Sequence, residues 1–129
     1  MSGPILVLGL GVTGRAVLDA LSTRGVETFG VDDRPGSEAR TCAERLSVEL
    51  VESPVTEDWW ALLERAGEVV VSPGVPDGHP VFAAAAAAGV QVLDESDLAT
   101  RWDTRPRCAV TGTNGKTTVV TLVTDMLQR

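Results

Sequence analysis

The stretch Ile5, Leu6, Val7, Leu8, Gly9, Leu10, Gly11, Val12, Thr13, Gly14 constrains this chain more than any other. An apolar run enters G-x-G-x-x-G, and a helical pattern follows. A continuous apolar run ahead of such a loop reads as a central strand of a parallel sheet. Gly9 permits a tight turn, Gly11 lets a ligand approach the backbone, and Gly14 lets the new helix lie close on the strand. Free N–H groups at the helix start, together with its dipole, form a site for a diphosphate. By itself the pattern specifies a phosphate-bearing ligand and no particular one. The competing reading is a tight strand–helix turn with no ligand.

The same unit repeats along the chain. Ala16, Val17, Leu18, Ala20 and Leu21 give a helix with one buried face, and Gly25 ends it. Residues 26–31 read as a second strand that stops at the polar turn Asp32, Asp33, Arg34, Pro35, Gly36. Ser37 is expected to cap a helix over residues 40–46, and residues 48–51 form a short third strand. Thr56 is expected to cap the next helix, with Trp59, Trp60, Leu62 and Leu63 on its buried face; one of the two indoles reads as core and the other as half-exposed. Residues 68–71 are a fourth strand that ends at Ser72, Pro73, Gly74. His79 and Pro80 precede an alanine-rich helix that Gly89 stops. Residues 90–93 are a fifth strand and residues 94–102 a short helix. Residues 103–106 look like a linker. Residues 107–111 read as a sixth strand, running into Gly112, Thr113, Asn114, Gly115, Lys116, Thr117, Thr118 and a last helix with Val119, Val120, Leu122, Val123, Met126 and Leu127.

This order implies an α/β fold: a doubly wound, mostly parallel five-stranded sheet (Rossmann-like) over residues 1–103. Residues 104–129 begin a second nucleotide-binding domain with a strand, a phosphate loop and a helix. In such sheets ligands sit at the carboxyl ends of the strands. The loops at 9–14, 32–34 and 72–74 should therefore share one rim. The last helix carries apolar residues without a sheet to cover, so residues 107–129 are expected to pack on a neighbouring copy or to be mobile.

Charge and cysteines exclude several classes. A net charge of −7 over 129 residues argues against non-specific nucleic-acid binding, which needs a basic face. It leaves an anionic small ligand open, because local N–H groups can hold a phosphate in an acidic protein. Cys42 and Cys108 are far apart and in no C-x-x-C spacing, which points to reduced thiols and no zinc site. No stretch has the length of a membrane span and no basic region precedes an apolar core, so a cytoplasmic location is expected.

Two sites carry chemistry. An acid at the end of the second strand, here Asp32, takes ribose hydroxyls in nicotinamide-dinucleotide enzymes; the alternative is a solvated turn. The second site is Gly112 to Thr118. Backbone N–H groups of Gly112, Thr113, Asn114, Gly115 and Thr118 would cradle phosphates, Lys116 would neutralise the terminal ones, and Thr117 would ligate Mg²⁺. Val110 stands at the first glycine position of the common G-x-x-x-x-G-K-[ST] pattern. His79 reads as a turn or helix-start residue outside the chemistry.

Two nucleotide-type loops in this order, with Ser72-Pro73-Gly74-Val75-Pro76, His79-Pro80 and T-G-T-N-G-K-T-T at 111–118, resemble the Mur ligases of peptidoglycan synthesis. The 111–118 stretch is shared with a wider ligase group that includes folylpolyglutamate synthases. The 9–14 loop with Asp32 and Ser72 to Gly74 narrows the resemblance to the D-glutamate-adding branch. The resemblance implies that the first domain holds the UDP part of UDP-N-acetylmuramoyl-L-alanine, not NAD. Gly11, Val12 and Thr13 would meet the diphosphate, Asp32 and Arg34 would bracket the uracil, and Gly74 would line the same pocket. Asp33 stands where a threonine is expected. Lys116, as catalytic residue, and Thr117 would serve ATP and Mg²⁺. ATP would convert the substrate carboxylate to an acyl phosphate that the D-glutamate amine attacks. The chain then reads as an N-terminal part of such a ligase that stops one helix into the central ATP-binding domain, binding the UDP part without turnover. A nicotinamide dehydrogenase domain explains Gly9 to Asp32 but leaves Lys116 and Thr117 without a task. A non-catalytic nucleotide-binding module is the third reading.

Overall fold

The computed structural model describes residues 3–128. Five strands alternate with helices: β1 (Ile5–Leu8), α1 (Val12–Thr23), β2 (Thr28–Asp32), α2 (Ser37–Leu46), β3 (Glu49–Glu52), α3 (Asp58–Arg65), β4 (Glu68–Val71), α4 (Pro80–Ala88), β5 (Gln91–Leu93), α5 (Glu95–Trp102) and α6 (Lys116–Leu127). The sheet is wholly parallel, in the order β3-β2-β1-β4-β5. β1 is central: Leu6 sits beside Phe29 of β2 and Val69 of β4, and Leu8 beside Val31 and Val71. The chain leaves β1 toward β2 and β3, then crosses back to β4 and β5. That reversal beside β1 creates a crevice at the carboxyl ends of the strands.

Alternation along the strands sorts the core into two layers, because successive side chains point to opposite faces. Leu6, Leu8, Phe29, Val31, Val69 and Val71 pack with Trp59, Leu62 and Leu63 of α3 and Val81 and Ala85 of α4. Ile5, Val7 and Val70 pack on the other face with Val17, Leu18 and Leu21 of α1, Ala39 of α2 and Leu98 of α5. Leu6, Val7, Leu18, Leu21 and Val69 are fully excluded from solvent. The α/β, doubly wound five-stranded sheet is the fold expected from the sequence.

Several local expectations are corrected. Residues 107–111 form no strand. A strand is defined by its partner, and no neighbour among the described residues pairs with this segment, so its backbone groups join no ladder. The reading of one core and one half-exposed indole holds, with Trp59 the core ring at 2% exposure and Trp60 57% exposed; adjacent helical residues point about 100° apart, so the single buried face expected for both cannot take Trp60. Ser37 is the first residue of α2 and Gly36 holds the cap position, with no side-chain cap bond. Thr56 does not cap α3; the Asp58 carboxylate instead accepts the Val55 N–H at 2.9 Å. The helix ends read from glycine hold: Gly89 lies at φ 68° directly after α4. α5 gains a reciprocal cap, with Asp94 and Asp97 each accepting the other's backbone N–H. α6 buries none of its described side chains, and Val119, Val120, Leu122, Met126 and Leu127 are exposed.

Helix α1 lies so close on the β1 turn that a Cβ at Gly14 would sit 1.9 Å from the carbonyl oxygen of Gly9. Backbone must shift to admit it. Gly14→Ala should therefore cost about 1–3 kcal/mol of stability, read by urea unfolding, and an unchanged midpoint would contradict this packing.

The edge strand β3 is held by exposed ion pairs, Arg65 to Glu49 at 2.5 Å and Arg40 to Glu52 at 2.7 Å. Hydrogen bonds from these guanidiniums hold both carboxyls below their ordinary 4.5. A lowered folded value makes the pairs' contribution fully present above 4.5 and lost as pH falls through the folded values. The double variant Glu49→Gln/Glu52→Gln should accordingly lose stability less steeply below pH 4.5 than the unaltered chain, measured by thermal unfolding across a pH series.

Candidate functional site

At the carboxyl ends of β1, β2 and β4 lies an open cavity of about 480 Å³. Its lining comes from three loops: Gly9, Gly11, Val12 and Thr13 after β1, Asp32, Asp33 and Arg34 after β2, and Ser72 to Pro76 after β4. All six residues expected to hold a nucleotide here, Gly11, Val12, Thr13, Asp32, Arg34 and Gly74, meet at this one rim.

The first wall is the glycine loop. Gly9 turns at φ 83°, a conformation that side chains resist. Its N–H donates to Val31 O at 2.9 Å. Its carbonyl accepts the Ser72 hydroxyl at 2.6 Å, so it points at the end of β4. Gly11 is the N-cap of α1 and offers no side-chain cap. The first-turn N–H groups of α1 are thus left for a ligand, and the helix dipole favours an anion there.

Asp32 sets the second wall. One carboxylate oxygen accepts the Leu10 N–H at 2.6 Å and the other accepts the Arg34 N–H at 2.8 Å. The residue therefore ties the glycine loop to the turn after β2. It is no merely solvated turn residue. A carboxylate has about four lone-pair sites, so each oxygen keeps capacity toward a ligand. Ser53 fastens the same turn from behind: its N–H donates to Asp32 O and its hydroxyl to Asp33 O, both at 2.8 Å. Arg34 stands exposed on the wall.

The third wall is the turn after β4. Ser72 N–H donates to Leu8 O and Val75 N–H to Ser72 O, both at 3.0 Å. Position alone predicts Ser72 on the rim. Its hydroxyl bond to Gly9 O links residues 63 apart, which no local pattern announces.

The second expected site lies at the start of α6. Gly112 (φ 149°) and Gly115 (φ 78°) take conformations open to glycine, and Gly115 is the N-cap without a side-chain bond. Lys116 Nζ donates to Gly112 O within the loop. Thr117 follows at the helix start, and its carbonyl accepts the Thr121 hydroxyl at 2.9 Å. Residues 111–118 are exposed, and none of residues 112–118 lines the cavity above. Open N–H groups, a lysine and a threonine hydroxyl fit a phosphate carrying a magnesium ion. No group of three or more His, Cys, Asp or Glu that could hold a metal occurs among the described residues, so a cation there would lean on phosphate oxygens and Thr117. The linker ahead of this loop is fastened by side chains: Arg107 donates to Thr100 O and Asp103 O at the end of α5. Arg105 clasps Asp103, and its hydrogen bonds hold that carboxyl well below the usual range.

Residues 3–94 match the family model for the Mur ligase MurD-like N-terminal domain. The chain is 40% identical over 131 aligned residues to UDP-N-acetylmuramoylalanine--D-glutamate ligase of Mycolicibacterium vanbaalenii, covering 96% of this chain and 26% of that protein. It is 36% identical to the ligase of the same name from Escherichia coli, covering 95% of this chain and 27% of that protein. The chain thus spans about a quarter of the length of the curated relatives it matches. Among solved structures, UDP-N-acetylmuramate:L-alanyl-gamma-D-glutamyl-meso-diaminopimelate ligase from Neisseria meningitides superposes with a TM-score of 0.60 at 21% identity, over 73% of this chain and 29% of that one. Saccharopine dehydrogenase from Saccharomyces cerevisiae superposes at 0.57 with 19% identity, over 72% of this chain and 21% of that one. At such identities the superpositions establish a shared fold, which a ligase and a dehydrogenase have in common.

Replacing Asp32 by Asn sets an NH₂ against one of two backbone donors. Asp32→Asn should cost about 1–3 kcal/mol in chemical denaturation, and unchanged stability would mean that the two bonds hold nothing.

Proposed function

Because this chain belongs to the MurD-like family of Mur ligases, we propose that its cavity receives the uridine diphosphate end of UDP-N-acetylmuramoyl-L-alanine. On this reading the intact protein joins D-glutamate to that substrate with ATP and Mg²⁺. The observation that carries the reading is the convergence of Gly11, Val12, Thr13, Asp32, Arg34 and Gly74 on one cavity, in a chain whose relatives carry that ligase name.

The diphosphate lies against the open N–H groups of the α1 N-terminus, where backbone donors and dipole act together. The base enters between Asp32 and Arg34, with Gly74 leaving room on the opposite wall. Asp32 offers its remaining lone pairs to a donor on the ligand while its backbone bonds keep the pocket shaped. An overall net charge of −7 is no obstacle, because the phosphate meets main-chain dipoles at the α1 N-terminus and residues 9–14 themselves include no acid.

Lys116 and the N–H groups of Gly112, Thr113, Asn114, Gly115 and Thr118 serve the ATP phosphates, and the Thr117 hydroxyl serves Mg²⁺. ATP, when bound, would supply the phosphoryl group: the substrate carboxylate would take it as an acyl phosphate with loss of ADP, and the D-glutamate amine would form the amide by displacing inorganic phosphate. The contribution of this chain's residues is placement and charge neutralisation, which carry most of phosphoryl-transfer catalysis. The 129 residues alone hold the uridine end without turnover. The exposed apolar side chains of α6 are the face through which copies of the 129-residue chain associate. No described helix is long and apolar enough to cross a membrane, and a cytoplasmic enzyme fits a soluble nucleotide-linked substrate.

The nicotinamide reading uses the same glycine loop and Asp32, and a shared fold alone does not separate it from the ligase reading. Calorimetric titration of the chain with UDP, NADH and ATP in parallel does so. UDP should bind measurably, NADH should give no heat of binding, and ATP should bind more weakly than UDP. NADH binding tighter than UDP would discard the ligase reading.

A further inference from the structure

His79 lies outside the motifs that the function uses, yet it makes three directed contacts at the edge of the cavity. Its Nδ1 accepts the Val81 N–H at 3.2 Å and so caps α4. Its Nε2 lies 3.0 Å from Oδ2 of Asp33, a residue that lines the cavity. Its ring stands edge-on to Trp59 at 5.2 Å between centroids and 89° between planes. The imidazole is 8% exposed and the Asp33 side chain 51%. One partner is thus buried against the core, and the other faces the cleft.

These contacts fix the chemistry of the ring. A nitrogen that accepts the Val81 N–H carries no proton, so the proton of the neutral imidazole is on Nε2. That N–H donates to Asp33. The rotamer has little freedom, since the helix cap and the buried Trp59 hold the ring plane. Asp33 follows β2 and His79 precedes α4, whose strand β4 lies on the other side of β1. The bond therefore spans the crevice between its two outer walls.

We propose that His79 is a positioning residue for the nucleotide cleft: through Nε2–H it clasps Asp33 across the mouth and sets both the width of the opening and the direction of the Asp33 carboxylate. The inference rests on the uridine reading for its ligand, while the clasp itself is a property of the chain. Oδ1 of Asp33, not engaged by His79, is then the acceptor presented to a hydroxyl or imide N–H of the nucleoside.

His79→Asn separates the clasp from the cap, because Asn is a favoured N-cap but its side chain is too short to bridge to Asp33. In the 129-residue chain, titrated with UDP, His79→Asn and Asp33→Ala should each raise Kd about fivefold, the scale of one hydrogen bond of ordinary strength. The double variant should also stand at about fivefold, since both changes remove one interaction. The thermal midpoint of His79→Asn should fall because the ring's packing on Trp59 is lost, so Asp33→Ala, which keeps that packing, carries the binding readout free of it. A Kd unchanged by His79→Asn, or a double variant whose losses multiply to about 25-fold, overturns the proposal. Imidazole ¹⁵N shifts read the clasp without any ligand: the Nε2–H tautomer should dominate, and Asp33→Ala should shift the Nε2 resonance. A dominant Nδ1–H tautomer overturns the clasp. Failure of the unaltered chain to bind UDP overturns the uridine reading instead, and the imidazole spectrum then decides the clasp alone.

Discussion

The close approach of α1 to the end of β1 governs the rest of the structure. Gly14 faces the Gly9 carbonyl with no room for a Cβ, and the Ser72 hydroxyl meets that same carbonyl oxygen. Three features follow from this one contact. The helix starts at the mouth of the crevice, the Gly9 carbonyl is turned toward β4 and its bond to Ser72, and the ends of β1 and β4 are tied together. An open helix N-terminus is an anion site only if something holds it in place, and here packing does so.

The acids around the cavity divide the work. Asp32 spends its carboxylate on the Leu10 and Arg34 N–H groups, which makes it part of the scaffold as well as of the lining. Asp33, one residue later, points its side chain to His79. Alternation at the end of a strand sends neighbouring side chains to different places. The site thus combines main-chain donors for an anion with acidic acceptors for a ligand's own donors. That pairing suits a nucleotide, which carries phosphates at one end and hydroxyl or N–H groups at the other.

Much of this was legible in the residues. The glycine loop, the apolar strands and the glycine helix stops predict the sheet, and β4 has the bounds read for it, Glu68–Val71. The convergence of the three loops follows from all of them leaving carboxyl ends of parallel strands. What was not legible depends on partners. Residues 107–111 have the composition of a strand, but composition cannot supply a neighbour to pair with. Trp59 and Trp60 look alike in sequence, and only the direction of α3 decides which is core. His79 is readable as a helix-start residue from Pro80 beside it. Its bond to Asp33 is not, because the two are 46 residues apart and meet only once β2 and β4 flank β1. Ser72 is legible as a turn residue and illegible as the support of Gly9 for the same reason.

A crystal structure of the chain soaked with UDP addresses the central claim most directly. The account predicts diphosphate oxygens within hydrogen-bonding distance of the N–H groups of residues 11–13, with the uracil between Asp32 and Arg34. Uridine density away from that crevice, or a diphosphate seated at residues 112–118 with the glycine loop bare, would contradict it.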